Sequence, residues 1–245
     1  MSGAARGARI ALRADLRGRL VRRYQRFFAD VETEDGRTLT VHCPNPGSMR
    51  GCADAGSAVR CSTSDNPKRR LAHTLEMIRV GRAWVGLHTT RANALVEEAL
   101  AARAIPALAE YTSWRREVSP GPSAEGTRFD FLLSGHARDP RPAWLEVKSA
   151  TLAEGPLALF PDSVTARGRR HLEMLAKLRA EGARAFLLFV IQRADCDAVA
   201  PADALDPAYG RAIRAAAAEG VELLAVRARV SPRSIELLGP APVRL

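Results

Sequence analysis

From Leu20 to Leu87 the apolar positions come in short runs broken by polar turns, and no stretch keeps a helical period. Leu20 to Glu32 reads as one long strand. Asp35-Gly36 is a hairpin turn signal, and Leu39 to Cys43 is the returning strand. Pro44-Asn45-Pro46-Gly47-Ser48-Met49 is a dense turn. Ser57 to Thr63 is a third strand, Asp65 to Arg70 a basic turn, and Leu71 to Val80 and Ala83 to Leu87 two more strands split by Gly81. Five short strands without a helix predict a small barrel over residues 15–87, and an OB-like barrel is one way to close them. Residues 1–14 are rich in Ala, Gly and Arg and read as a disordered tail.

The pattern changes after Leu87. Arg91 to Arg103 carries apolar residues at helical spacing, with Glu97 and Glu98 mid-helix, and Pro106 ends it. Trp114 to Val118 is a strand, followed by a loop rich in Pro, Gly and Ser. Two further strands follow, Phe129 to Leu133 and Ala143 to Lys148. Thr151 to Asp162 reads as a Gly/Pro-containing loop. Ser163 or Thr165 caps a helix that runs to about Glu181, where Gly182 stops it. Ala185 to Ile191 is a fully buried strand, Asp206 to Glu219 a helix, and Val221 to Val230 and Ile235 to Leu238 closing strands. Residues 88–245 therefore predict a mixed sheet with helices on its faces.

The candidate chemistry lies in the two strands of this second unit. Each is apolar with an acid in its middle: Asp130 in one, Glu146 in the other. Glu146 and Lys148 are two apart, so they emerge on one side of a strand. A hairpin through Gly135, Pro140 and Pro142 would set Asp130 beside them. Two carboxylates in apolar surroundings are costly unless they hold a cation. A strand-edge salt bridge between Glu146 and Lys148 is the plainer account. However, the chain has 37 Lys plus Arg, and its only lysines are Lys68, Lys148 and Lys177. Arg would serve a salt bridge as well, whereas a compact ammonium suits a water or a shifted pKa.

Charge and composition sharpen this only partly. The net charge is +10 in 245 residues, which favours a polyanion partner; an Arg-rich composition accounts for much of it. Arg22, Arg23 and Arg26 interleave with Tyr24, Phe27 and Phe28, as a single-strand groove requires. Aromatics filling the barrel with Arg facing water is the bland alternative, and it is preferred for Phe27 or Phe28. Cys43, Cys52, Cys61 and Cys196 form no C-x-x-C pair, which argues against a zinc ribbon and a disulfide framework. The histidines at 42, 73, 88, 136 and 171 are too scattered for a metal set. No G-x-G-x-x-G or Walker-type loop indicates a nucleotide cofactor, and no serine stands beside a base motif for a triad. No long apolar run predicts a membrane span, and the lack of a leader-like apolar segment favours the cytoplasm.

Strand, strand with Asp, and strand with E-x-K, preceded by a helix with Glu, resembles the PD-(D/E)xK nuclease core. The whole chain resembles the sugar fermentation stimulation protein A (SfsA) family. R-Y-Q-R-F-F-A-D-V, T-V-H-C-P-N-P-G-S-M-R-G-C, N-P-K-R-R-L, A-N-A-L-V-E-E-A-L, R-F-D-F-L-L, L-E-V-K-S-A-T-L, F-P-D-S-V-T-A-R-G-R-R-H-L and F-V-I-Q-R carry the likeness, in order, from about Leu20 to the end. It implies an OB-like five-stranded β-barrel followed by a PD-(D/E)xK nuclease-like α/β domain with a mixed central sheet. One departure is Pro46, where the family usually has Thr; a hydroxyl and a backbone donor are lost there.

The resemblance implies an Mg²⁺- or Mn²⁺-dependent phosphodiesterase, with DNA ahead of RNA as its partner. Asp130, Glu146, Lys148 and Gln192 would be catalytic. Asp130, Glu146, the Val147 carbonyl and Glu98 would be metal ligands, with Glu97 as substitute for Glu98. Arg22, Arg23, Tyr24, Arg26, Asn45, Ser48, Lys68, Arg69, Arg167 and Arg170 would hold nucleic acid, and Asp162 and Arg167 would border the site. The alternative is a non-catalytic DNA-binding regulator of sugar (maltose) genes on the same scaffold, since the family is associated with both in bacteria. No residue pattern links the chain to sugars, and none fixes its oligomeric state.

Overall fold

The computed structural model describes residues 7–121 and 126–245. The first strand, β1 (Arg9–Ala11), corrects the expected tail: it pairs antiparallel with residues 234–236, near the other end of the chain. Ala8, Leu12 and Ala14 are buried beside it. Ala8, Ile10, Leu12 and Ala14 alternate inward along this stretch, and a composition of Ala and Arg masks the alternation. Of the tail, residues 1–6 lie outside the described residues. So do residues 122–125 of the Pro/Gly/Ser-rich loop.

The long strand expected from Leu20 to Glu32 is two strands, β2 (Leu16–Tyr24) and β3 (Phe28–Thr33). They pair antiparallel with Tyr24 opposite Phe28. Gln25 (φ 47°) and Arg26 (φ 63°) make the turn. Neither is a residue type that signals a left-handed conformation. The chain continues through β4 (Thr38–His42), β5 (Ala58–Thr63), β6 (His73–Val80) and β7 (Ala83–Gly86). Strand order is β4-β3-β2-β5-β6-β7, and a β4–β6 pairing at His42 and Thr74 closes five of them into a barrel. This is the OB fold expected. Its interior is filled by inward positions such as Leu20, Val31, Val41, Val59, Leu75 and Ile78.

The second unit opens with α1 (Thr90–Ala101), followed by β8 (Ser113–Val118), β9 (Phe129–Ser134) and β10 (Ala143–Ala150). The expected loop from Thr151 to Asp162 contains a hairpin, β11 (Leu152–Glu154) and β12 (Leu157–Phe160), turned at Gly155 (φ 56°). Then come α2 (Ala166–Ala180), β13 (Arg184–Ile191), β14 (Ala198–Pro201), α3 (Pro207–Ala218), β15 (Glu222–Ser231) and β16 (Ser234–Ala241). β11, β12 and β14 form a small sheet of their own; such short strands give little periodic signal. The main sheet runs β1-β16-β15-β13-β10-β9-β8, with β13 parallel to both β10 and β15 and the other pairs antiparallel. One apolar core lies under α1 and the other under α2 and α3. Thr165 caps α2 by accepting from the Gly168 N–H, and Asp206 caps α3 by accepting from that of Tyr209. No described helix is long and apolar enough to cross a membrane.

Candidate active site

The antiparallel ladder between β9 and β10 ends at Phe131 and Leu145. Asp130 and Glu146 are the next residues along. The Val147 N–H is therefore not taken by the neighbouring strand at this point, and it donates to Asp130 Oδ2 at 2.7 Å. Asn93 of α1 donates to Asp130 Oδ1 at 2.5 Å. Burial first, and then the charge of Glu146, push the Asp130 carboxyl up to about 7, against the pull of these donors and of Lys148.

Glu146 is 4% exposed. Lys148 Nζ lies 2.5 Å from its Oε1, as the strand alternation requires. His171 of α2 approaches the same oxygen at 2.6 Å through Nδ1, a close contact that falls short of an aligned hydrogen bond. Arg167 Nε donates to His171 Nε2 at 3.3 Å, one helical turn away. Burial would raise the Glu146 carboxyl; Lys148 and His171 together hold it below its ordinary value. Glu146 Oε2 is buried with no hydrogen-bond partner.

Of these groups, Asn93, Asp130, Glu146, Val147, Lys148 and Arg167 line a cleft of about 380 Å³. One wall holds Asn93, Asp130, Glu146, Lys148 and Ser149, and another Leu159, Phe160, Pro161 and Val164. Thr89 and Thr90 at the start of α1, and Thr165 and Arg167 at the start of α2, also line it. Both helices thus turn their positive ends toward the cleft. The barrel supplies the rim with Asn45, Pro46 and Gly47. Asp162 anchors that rim: its Oδ2 accepts from the Met49 N–H at 2.9 Å, and its carbonyl from Ser48 Oγ at 2.5 Å. A Cβ on Gly47 would overlap the Asp162 carboxylate, so this contact requires glycine.

Asp130, Glu146, Val147, Lys148, Asn45 and Arg167 are thus brought together. Glu98 is not. It is exposed and absent from the cleft wall. Nor is Glu97, which accepts from Arg116 at 2.7 Å and Trp114 at 3.4 Å. Helical phase turns Glu98 away, whereas Glu97 shares the face of Asn93 but sits a full turn beyond it, and Asn93 occupies the position over Asp130. Gln192 is 1% exposed and lies behind the wall, where its Nε2 donates to Ser149 Oγ at 2.7 Å. It supports the cleft wall without lining it. Arg170 is exposed on α2 outside the cleft.

The barrel residues take several places. Arg22 pairs with Asp30 at 2.7 Å, and Tyr24 donates to the same carboxylate at 3.2 Å. Arg23 spends its donors on main-chain carbonyls, among them Asn45 O and Gly47 O. Arg26 is exposed in the β2–β3 turn. Lys68 and Arg69 are exposed on the turn before β6, with Arg69 donating to Thr74 Oγ1 at 3.0 Å. Sequence reasoning missed Asn93 and His171. His171 sits among Gly168, Leu172 and Leu175 on the buried face of α2, so a lone histidine on an apolar helical face was the available signal.

Two family models match. The one described as the SfsA N-terminal OB domain covers residues 21–87, and the sugar fermentation stimulation protein RE domain covers residues 90–234. A sugar fermentation stimulation protein homolog of Geobacter sulfurreducens is 50% identical over 226 residues, 92% of this chain and 94% of that protein. Its counterpart in Gloeobacter violaceus is 47% identical over 230 residues, 94% of this chain and 95% of that protein. The solved structure of Pyrococcus furiosus SfsA in complex with Ca²⁺ shares the fold with a TM-score of 0.83 and 24% identity. That match covers 94% of this chain and 96% of that one.

Proposed function

The chain belongs to the sugar fermentation stimulation protein (SfsA) family, and from that premise we propose that it is a divalent-metal-dependent phosphodiesterase acting on nucleic acid, DNA ahead of RNA. The observation that carries the reading is the pair of carboxylates, Asp130 and Glu146, set with Lys148 in the wall of one cleft.

The pair fits a cation. Glu146 Oε2 is buried without a partner, and Asp130 is pushed toward its neutral form by burial and by Glu146. Asp130, Glu146 and the Val147 carbonyl would hold Mg²⁺ or Mn²⁺, with water completing an oxygen shell. Such an ion, when bound, polarises a phosphate and lowers the pKa of a coordinated water. The Pyrococcus furiosus relative was solved in complex with Ca²⁺, a hard cation of the same class, which supports a divalent cation as the ligand.

The chain's own groups do the rest. Asn93 and the Val147 N–H fix the Asp130 carboxylate. His171, held by Arg167, sets the position of Glu146. Lys148 donates to the attacking water or to the charge that builds on the phosphate oxygens. The exposed Arg167 and the starts of α1 and α2 attract the phosphate itself.

A non-catalytic DNA-binding protein on the same scaffold is the second reading. It is favoured by one observation: Lys148 Nζ lies 2.5 Å from Glu146 Oε1, so that carboxylate is balanced without a cation. The test is incubation of the protein with labelled single- and double-stranded DNA and RNA, each in Mg²⁺, Mn²⁺ or EDTA. Cleavage in metal and none in EDTA is expected. Binding with intact strands in every metal would leave the second reading.

A further inference from the structure

We propose that the β2–β3 turn of the barrel is a stacking seat for an unpaired base, with Phe27 as its platform. Nucleic acid then crosses this face as a single strand on its way to the cleft. The proposal rests on the nucleic-acid reading above and adds the form of the substrate.

Phe27 is 49% exposed, while its neighbour Phe28 is half-buried and stacked on Tyr24 with ring centroids 5.6 Å apart. One exposed aromatic alone means little. Here the backbone holds it out: Gln25 (φ 47°) and Arg26 (φ 63°) both adopt the left-handed conformation, which side chains with a Cβ disfavour. A turn with glycine at these positions would form more easily. Strain of this kind, kept at a solvent-facing tip, points to a use for the residue presented there.

The tip is also fixed to the cleft. The Arg23 guanidinium donates to Arg26 O at 3.0 Å, Asn45 O at 2.8 Å and Gly47 O at 2.7 Å. The Phe27 carbonyl accepts from the Cys43 N–H at 2.8 Å. Asn45 and Gly47 line the cleft rim. The ring and the rim are thus one body, and a strand held on Phe27 is led toward Asp130 and Glu146. The exposed Arg26, next to Phe27 in the chain, suits a phosphate. Inside a duplex both faces of a base are covered by its neighbours, so away from the ends only an unpaired base offers a face to the ring.

The test is fluorescence anisotropy with a short labelled single strand and its blunt duplex, in EDTA so that no cleavage intervenes. Phe27→Ala is expected to weaken single-strand binding about tenfold, a typical loss for one stacked base, and Phe27→Trp to restore it. Duplex binding should move less than about twofold, and the melting temperature should be unchanged, because the ring is exposed. A Phe27→Ala protein that binds the single strand as wild type does overturns the seat. Equal loss on single strand and duplex overturns the single-strand assignment. A wild type that binds neither form overturns the nucleic-acid reading and the seat with it.

Discussion

Replacing Glu76 by Gln is expected to destabilise the protein by about 3 kcal/mol at neutral pH. Glu76 is a β6 residue of the barrel and is 2% exposed. Its carboxylate accepts from Ser62 Oγ at 2.7 Å and meets His88 Nδ1 at 3.1 Å. Arg91 of α1 reaches it with Nη2 at 2.9 Å and Nε at 3.3 Å. The group therefore ties the barrel to the helix that carries Asn93, and so to the site. Burial alone would raise the Glu76 carboxyl, but His88 and Arg91 outweigh it and hold the value at about 2, against an ordinary 4.5. At about 1.4 kcal/mol for each tenfold change in acidity, that fall is worth roughly 3 kcal/mol. Removing one member of a buried pair costs about 3–5 kcal/mol, and the low end applies because the Arg91 side chain is 31% exposed. For a chain of this size the melting temperature should drop by roughly 6–12 °C. The folded value lies below the unfolded one, so this stability is present above pH 4.5 and is lost as pH falls toward about 2. Thermal and urea melts of wild type and variant at pH 7 and pH 3.5 check it, and the gap should shrink by roughly half at the lower pH. A gap below about 1 kcal/mol at pH 7, or one that does not narrow with acid, would refute the reasoning.

Three further outcomes are expected. Asp162→Ala leaves the buried Met49 N–H without an acceptor and should lower stability by about 1–3 kcal/mol in urea melts, with faster proteolysis at residues 44–49; an unchanged melt would show that the rim is not anchored there. The Asp130 carboxyl, raised to about 7 in the metal-free protein, makes that protein lose stability as pH rises from about 4 toward 7, because the folded state then holds the extra proton. Mn²⁺ titrated calorimetrically should accordingly bind more tightly at pH 8 than at pH 6, and equal affinities would contradict the carboxylate pair as its site. Glu98→Ala should leave cleavage within about twofold of wild type, whereas Asn93→Ala should slow it by tenfold or more; the reverse order would return the helical acid to the site.

The parts legible in sequence are those that depend on neighbours along the chain. Strand alternation put Glu146 and Lys148 on one side, and the hairpin brought Asp130 to the same place. The barrel followed from short apolar runs and from the Asp35-Gly36 turn. What was hidden depends on distant partners. β1 is a strand only because residues 234–236 pair with it. The turn at Gln25 and Arg26 carries no glycine; carbonyls of the 45–48 segment and the Arg23 side chain support it instead. His171 lies on a helix well downstream of Glu146, and only the packing of α2 on the sheet brings it there. Glu98 was misplaced because a pair of acids mid-helix does not reveal the phase at which the helix meets β9. Gln192 ends the buried strand as expected, yet it turns under Ser149 rather than into the cleft.

The most direct test of the carboxylate pair and its lysine is single-turnover cleavage of a labelled oligonucleotide in Mg²⁺ by wild type and Lys148→Ala, with binding measured in the same samples. Wild type should cut, and the variant should bind within about twofold and cut at least about a hundredfold more slowly, the usual loss when a group that meets transition-state charge is removed. Cleavage by Lys148→Ala at the wild-type rate, or a wild type that binds and never cuts, would contradict the assignment of phosphodiester hydrolysis to Asp130, Glu146 and Lys148.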